Sequence, residues 1–177
     1  TRRSSDLGPA REVFFPQHHH PGDLCQSDFV SMKDLQITIA GKLFLHLLYH
    51  FVLTYSNWED ITLCYSESFE SLSTGLQNAL WKLGGIPSRH RSDNLSAAVR
   101  DLNSREKEAF TSRYAGLLSH YNMAGEHTNP DSPHENGDVE QAHNRLVQAI
   151  DQSLMLRGSR DFDSIGSYEK FLYKVVK

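Results

Sequence analysis

The most hydrophobic stretch of this sequence is Leu43-Phe-Leu-His-Leu-Leu-Tyr-His-Phe-Val-Leu-Thr54. Side chains alternate between the two faces of a β-strand, so a strand here has one wholly apolar face and a second, mostly apolar one. A strand of that kind lies inside a sheet that is covered on both sides. The stretch contains His46 and His50 and is too short to span a bilayer. It therefore predicts a central, two-sided strand in an α/β domain.

The segments around this stretch alternate between strand and helix patterns. Apolar positions that recur every three or four residues predict helices, and each predicted helix follows a capping residue. The first begins after Ser66 or Ser68 and ends at Gly84-Gly85, the second begins near Asn103, and the third begins at Asp138. Further strands are predicted over residues 24–30, 37–39, 58–65, 86–92 and 123–128.

Length and composition indicate one globular domain. The chain has 177 residues, of which 38% are hydrophobic and 23% charged. We predict an N-terminal arm over residues 1–22, a core over 23–157 and a truncated helical extension over 158–177. The first residue is not Met, which indicates a piece of a longer protein. With two cysteines, Cys25 and Cys64, and no apolar run of 18 residues, we expect a reducing cytosol and no membrane association.

The net charge of −4 argues against a nucleic-acid partner, because DNA-binding domains usually have a basic surface. A metal-dependent catalytic core contributes acids, however, and flanking regions can neutralise phosphates. Two local basic clusters remain, Arg89-His90-Arg91 and the segment from Arg157 to Arg160.

Three acidic residues suit a metal site for phosphoryl transfer. Asp28 lies in a predicted strand, Asp93 follows a strand, and Glu140 lies in the first turn of a helix. Two divalent cations roughly 3.5–4 Å apart need carboxylate oxygens that separate elements bring to one point. Each acid also has a structural interpretation. Asp28 could pair with an arginine, Asp93 could cap a helix, and any acid at position 140 would be favoured by the helix dipole.

Three motifs carry a family resemblance. They are His-His-x-Pro-Gly-x-x-x-Gln-x-Asp-Phe from His18 to Phe29, the segment from Trp81 through Ser-Asp93-Asn-Leu-Ser-Ala-Ala-Val, and Asn-Pro-x-Ser-Pro-His-Glu-Asn-Gly-Asp-Val-Glu ending at Glu140. Together they resemble the IstA-type transposases of bacterial insertion sequences, which share a catalytic core with retroviral integrases. The resemblance covers most of residues 18–150 and implies a ribonuclease H-like fold, with a mixed five-stranded sheet flanked by helices.

The resemblance also implies an activity. Asp28, Asp93 and Glu140 would be the catalytic residues of a DDE transposase and would hold two Mg²⁺ ions, with Mn²⁺ as a substitute. The enzyme would cut transposon DNA ends and join them to target DNA. Asp93 and Glu140 are 47 positions apart, more than in retroviral integrases, which implies a helical insert and leaves Glu135 as the fallback third acid.

The same resemblance implies partners and a location. They are transposon-end and target DNA, further copies of the chain on paired ends, an ATPase helper, and a bacterial cytoplasm with nucleoid association. Residues considered for weaker DNA contacts are His90, Arg91, Asn136, His143 and Arg145.

Three alternatives stay open. The first is a ribonuclease H-like nuclease that only hydrolyses nucleic acid, and the second is a DNA-binding or assembly module without catalysis. The third is a structural zinc site built from the histidines and cysteines, drawn from residues 18–20, His46, His50, Cys25 and Cys64.

Overall fold

The computed structural model describes residues 19–92, 104–126 and 137–176, and at residues 137–140 it describes the backbone alone. The predicted N-terminal arm therefore lies mostly outside the described residues. Eight strands, one short 3₁₀ turn and four helices occur in these ranges. They are β1 (Leu24–Ser31), the 3₁₀ turn (Lys33–Leu35), β2 (Thr38–Ile39), β3 (Lys42–Leu43), β4 (Leu47–Leu53), β5 (Glu59–Cys64), α1 (Phe69–Leu83), β6 (Arg89–Ser92), α2 (Ser104–His120), β7 (Ala124–Glu126), α3 (Gly137–Arg157), β8 (Asp161–Phe162) and α4 (Ile165–Val175).

Five of the strands form one mixed sheet in the order β5-β4-β1-β6-β7. Strand β1 pairs antiparallel with β4 on one side and parallel with β6 on the other. The outer pairs continue this arrangement: β4 pairs antiparallel with β5, and β6 pairs parallel with β7. The predicted mixed five-stranded sheet is therefore confirmed.

Helices cover both faces of this sheet. One core lies between the sheet and helices α1 and α2, and it contains Tyr49 and Phe51 of β4. A second core lies between the opposite face and helices α3 and α4, and it contains Leu48 of the same strand. The two-sided burial that the sequence predicted for this strand is confirmed, because its neighbouring residues enter opposite cores.

The start of this strand was predicted wrongly. It begins at Leu47, whereas Leu43 and Leu45 are 60% and 58% exposed. Residues 42–43 instead form β3, which belongs to a separate small sheet in the order β3-β2-β8. The chain passes from one sheet to the other between β3 and β4, so the alternation of buried side chains does not extend over the whole apolar run.

Helix α1 forms as the sequence predicted. The Ser68 hydroxyl accepts a hydrogen bond from the Ser71 backbone N–H, and Gly84 ends the helix with a positive φ of 70°. Gly75 lies in the middle of the helix, directly over the ring of Tyr49. A Cβ atom at position 75 would lie 2.8 Å from Cε1 of Tyr49 and closer still to the neighbouring ring carbons. Only glycine lets this helix approach the sheet so closely.

Residues after α3 pack against the sheet, in the segment predicted as a helical extension. Phe162 of β8 and Tyr168 and Leu172 of α4 are almost fully buried in the second core. The preceding helix, α3, begins at Gly137, one residue before Asp138, which the sequence predicted as its cap. In the described parts of the chain, no helix is both long enough and apolar enough to cross a membrane.

Substituting Gly75→Ala tests the close approach of α1 to the sheet. We expect the free energy of unfolding to fall by about 1–3 kcal/mol, because the added methyl group overlaps the buried ring of Tyr49. The measurement is the urea-denaturation midpoint.

The matched control is Gly116→Ala in α2, where an added Cβ meets nothing within 4 Å. This variant should be neutral or up to about 1 kcal/mol more stable, because alanine favours helix over glycine. Equal effects of the two substitutions would contradict the packing described for α1.

Candidate active site

Asp28 lies on the central strand β1, on the sheet face that is covered by α3 and α4. Its side chain is 26% exposed, and its Oδ1 atom accepts a hydrogen bond of 2.8 Å from the backbone N–H of Phe29. Directly across the antiparallel pair it faces His50 of β4. The carboxylate therefore stands at the edge of a buried environment but remains accessible to solvent.

The end of β6 lies next to this position. The parallel register of β1 and β6 pairs Ser27 with Ser92, and Ser92 is the last residue of β6. Asp93 comes next in the sequence but lies outside the described residues, as do Glu135 and Asn136. The role predicted for Asp93 and the choice between Glu140 and Glu135 therefore stay predictions.

Helix α3 contacts β1 and β4 at this place. Nδ1 of His143 lies 3.7 Å from Oδ2 of Asp28, an electrostatic contact longer than a hydrogen bond. Glu140 precedes His143 by three residues, and positions three apart share one face of a helix. The backbone thus places position 140 one turn before the residue that contacts Asp28.

His143 is itself backed by a second histidine. Its ring centroid lies 5.0 Å from that of His50, and Nε2 of His50 lies 2.8 Å from Oε2 of Glu59. Burial, and to a smaller extent the neighbouring His50, lowers the pKa of His143 to about 3. His143 is therefore neutral at physiological pH, even though it lies beside a carboxylate.

Sequence reasoning missed this cluster. It placed His50 in the predicted strand and weighed it as a zinc ligand, it considered His143 as a DNA contact, and it gave Glu59 no role. The signal that could have found the cluster is the strand register that places Asp28 opposite His50. The register of a strand pair cannot be deduced from the sequence of one strand alone.

His90, considered above as a DNA contact, is a core residue. It is fully buried, its Nε2 lies 2.8 Å from the Ser27 hydroxyl and its Nδ1 lies 2.6 Å from the Tyr114 hydroxyl. Burial lowers its pKa to about 4. Both ring nitrogens are engaged inside the domain, so we no longer consider His90 a DNA contact.

The basic cluster around His90 is also internally neutralised. Arg91 forms an ion pair of 2.7 Å with Glu126 and is only 13% exposed. Arg89 pairs with both Asp23 and Glu126. These arginines join the ends of β6 and β7 and are not a free basic surface. Arg145, by contrast, is exposed on α3.

Among the residues weighed as zinc ligands, Cys25 and Cys64 lie on one side of the sheet, and His46 and His50 lie on the other. Cys25 and Cys64 are free thiols in the first core. His46 lies on the other side, where Nε2 is 2.9 Å from the Tyr168 hydroxyl. Among the described residues, no three His, Cys, Asp or Glu side chains converge on one point as metal ligands. The described members of that set therefore do not build a zinc site.

Sequence comparisons connect the chain to transposases. It is 47% identical over 170 residues to the uncharacterized protein y4jA/y4nE/y4sE of Sinorhizobium fredii (strain NBRC 101917 / NGR234), covering 96% of this chain and 34% of that protein. It is 29% identical over 134 residues to the transposase for insertion sequences IS1326/IS1353 of Pseudomonas aeruginosa, covering 76% and 25% respectively. A transposase of Aminobacter aminovorans is 27% identical over 156 residues, covering 86% and 30%. The chain thus spans about a quarter to a third of the length of these relatives. No protein-family model matches it.

Structural comparisons define the fold. The HTLV-2 integrase catalytic core domain in complex with magnesium superposes with a TM-score of 0.58 at 15% identity, covering 88% of this chain and 84% of that one. The simian T-cell lymphotropic virus intasome in complex with the PP2A regulatory subunit B56 gamma gives a TM-score of 0.66 at 17% identity, covering 95% and 53%. The chain therefore has the ribonuclease H-like fold of retroviral integrase catalytic cores. The predicted resemblance to insertion-sequence transposases with an integrase-like core is confirmed.

The buried His90 predicts a pH-dependent stability. Its pKa in the folded chain, about 4, lies below the ordinary value of 6.5, so between these values the unfolded chain binds a proton that the folded chain does not. Stability should therefore fall as the pH drops from 6.5 towards 4, by up to about 1.4 kcal/mol per pH unit for this group. In urea denaturation at several pH values, His90→Gln should make this dependence shallower.

The exposed His120 provides the matched control. His120→Gln makes the same chemical change at a side chain that is exposed to water, so it reports the effect of the replacement away from the core. A His90→Gln variant with an unchanged slope would contradict the account of His90 as a buried, neutral imidazole.

Proposed function

We propose that this chain is the catalytic core of a DDE transposase that cuts transposon DNA ends and joins them to target DNA. The observation that carries the proposal is the position of Asp28. This half-buried carboxylate lies on the central strand of an integrase-like sheet, next to the end of β6 and beneath the first turns of α3. Transposases among its sequence relatives support the same activity.

The strand register supports a shared site for two of the acids. The last pair of the parallel ladder between β1 and β6 is Ser27 with Ser92, and adjacent strands lie about 4.8 Å apart. Asp28 and Asp93 are the next residues of the two segments in the sequence. Glu140 would join them from the first turn of α3, on the helix face that contacts Asp28 through His143.

The donor chemistry of this set fits magnesium. Carboxylate oxygens are hard ligands, and the described acid, Asp28, is accessible and held in place by the N–H of Phe29. Asp28, Asp93 and Glu140 would hold two Mg²⁺ ions, with Mn²⁺ as a substitute. When bound, such ions activate the attacking oxygen and stabilise the leaving oxygen of an in-line displacement. A magnesium complex of a neighbouring fold, the HTLV-2 integrase core, is in keeping with this assignment.

The chain's own residues would keep the carboxylates in one place. Strand β1 is fixed on both sides by β4 and β6, so Asp28 stands on rigid backbone. Arg145, exposed on α3 one turn and a half beyond Glu140, is retained as a proposed contact for a DNA phosphate. His143 is mostly buried beside Asp28, so its proposed role is in the site rather than on the DNA.

The proposed substrates, partners and cellular location rest on the family resemblance. They comprise transposon-end and target DNA as substrates, several copies of the chain on paired ends, an ATPase helper, and a nucleoid-associated cytoplasmic location. With a net charge of −4, the chain needs basic groups from elsewhere to hold long DNA. We propose that flanking regions of the longer protein supply them.

A strand-transfer assay with a labelled transposon-end duplex tests this proposal. In the full-length protein, Asp28→Asn, Asp93→Asn and Glu140→Gln should each lower Mg²⁺-dependent joining at least about 100-fold, because each removes a charged metal ligand. Asp163→Asn is the matched control, since Asp163 is exposed and follows β8 in the separate small sheet. It should keep full activity.

The form of the product separates the alternatives. Joined strands identify a transposase, whereas fragments without joining would identify a nuclease. Full activity in any of the three acid variants would remove that acid from the site. No turnover together with no Mn²⁺ binding by the unsubstituted protein would indicate an assembly module.

A further inference from the structure

Behind Asp28 lies a line of side chains that reaches across the sheet. His143 of α3 contacts the carboxylate at 3.7 Å, His50 of β4 lies against His143 with ring centroids 5.0 Å apart, and Glu59 of β5 bonds His50 at 2.8 Å. His50 is fully buried, and the side chain of His143 is 14% exposed. Four elements thus contribute to one connected group.

The two carboxylates assign the imidazole tautomers. A carboxylate accepts hydrogen bonds, so Nε2 of His50 bears the hydrogen that it donates to Glu59. Nδ1 of His143 faces the Asp28 carboxylate at 3.7 Å, and the negative charge favours the tautomer with the hydrogen on that nitrogen. The remaining ring nitrogens are Nδ1 of His50 and Nε2 of His143. Both are buried and lack a hydrogen-bond partner among the described residues.

This arrangement is costly for stability. A buried polar atom without a partner destabilises a fold by about 1–3 kcal/mol, and an apolar side chain of similar size would avoid that penalty. Leu48 shows that the same face of β4 accepts an apolar residue, since it is fully buried in the second core. The stability of the core therefore does not explain two imidazoles here, and a role towards Asp28 does.

We propose that His143, held in place by His50 and Glu59, is a positioning residue for the Asp28 carboxylate. This inference rests on the proposed function, in which Asp28 is a metal ligand. The Phe29 N–H fixes Oδ1 of the carboxylate, and the Nδ1–H of His143 faces Oδ2 and restricts its rotation. The ring of His143 cannot swing away because His50 packs against it and is anchored to Glu59. Outer contacts of this kind orient metal-binding carboxylates.

Two substitutions separate a positioning role from simple packing. His143→Asn keeps an N–H donor near the position of Nδ1, whereas His143→Leu fills the space without a donor. In the full-length protein, His143→Leu should raise the Mn²⁺ dissociation constant about 10- to 100-fold, and His143→Asn should stay within about 3-fold of the unsubstituted protein. Strand transfer by His143→Leu should show a lower kcat with an unchanged KM for DNA, because the DNA contacts are intact.

The urea-denaturation midpoint distinguishes a positioning role from a structural one. If His143 stabilised the fold, replacing it with leucine would lower the midpoint. His143→Leu removes a buried acceptor without a partner, so its urea midpoint should equal or exceed that of the unsubstituted protein. Loss of metal affinity at unchanged or higher stability is the signature of a residue kept for the site rather than for the fold.

A double-mutant cycle tests the role of His50. If His50 acts only through His143, adding His50→Leu to His143→Leu should change the Mn²⁺ affinity no further, although His50→Leu alone weakens it. Additive losses would show that His50 acts independently and would overturn the proposed chain.

The Asp28→Asn variant separates failure of this inference from failure of the proposed function. If Asp28→Asn loses Mn²⁺ binding while His143→Leu binds as well as the unsubstituted protein, the positioning role is refuted and the metal site stands. If His143→Asn is as impaired as His143→Leu, the donor is irrelevant and the inference is likewise overturned. Normal Mn²⁺ binding by Asp28→Asn would refute the metal site itself.

Discussion

The structure depends on the two-sided pairing of β1. This strand is antiparallel to β4 and parallel to β6, so it is the point at which the meander of the N-terminal half meets the parallel half of the sheet. Strands fixed by hydrogen bonds along both edges have little freedom to move. The described part of the site follows from that constraint, because Asp28 is placed by β1, the end of β6 lies beside it, and α3 covers the same face.

The two faces of the sheet differ in composition and in role. The side under α1 and α2 is closely packed and apolar, and Gly75 lets α1 sit directly on the Tyr49 ring. The side under α3 and α4 holds the polar groups that surround Asp28 as well as its own core. Burial keeps the imidazoles of His90 and His143 neutral, as their low pKa values show.

Much of the fold could be predicted from local patterns. Helix α1 is capped by Ser68 at its start and ends at Gly84, which has a positive φ, as the sequence predicted. The two-sided burial of β4 follows from its run of apolar residues. The start of β4 could not be predicted, because the switch between two sheets near residue 45 depends on partners that are distant in the sequence. The burial of Phe162 and Tyr168 was missed for the same reason.

The site was less predictable than the fold. Asp28 stood out because an acid interrupts an apolar strand, whereas the basic segment Arg89-His90-Arg91 was misleading. Its charges are used in pairs with Asp23 and Glu126, and its histidine is buried. The composition of a segment shows which charges are present, but only the fold shows which of them are already neutralised. The same holds for His50 and Glu59, whose roles appear only when four elements are placed together.

The proposed function requires Asp28 of β1 to bind a divalent cation beside the end of β6. A crystal structure of the protein grown with Mn²⁺, with the metal located by its anomalous scattering, tests it most directly. We expect an anomalous peak about 2.1–2.3 Å from a carboxylate oxygen of Asp28, with oxygen ligands from Asp93 and Glu140. Mn²⁺ bound elsewhere, or the three carboxylates pointing away from one another with no ion between them, would contradict it.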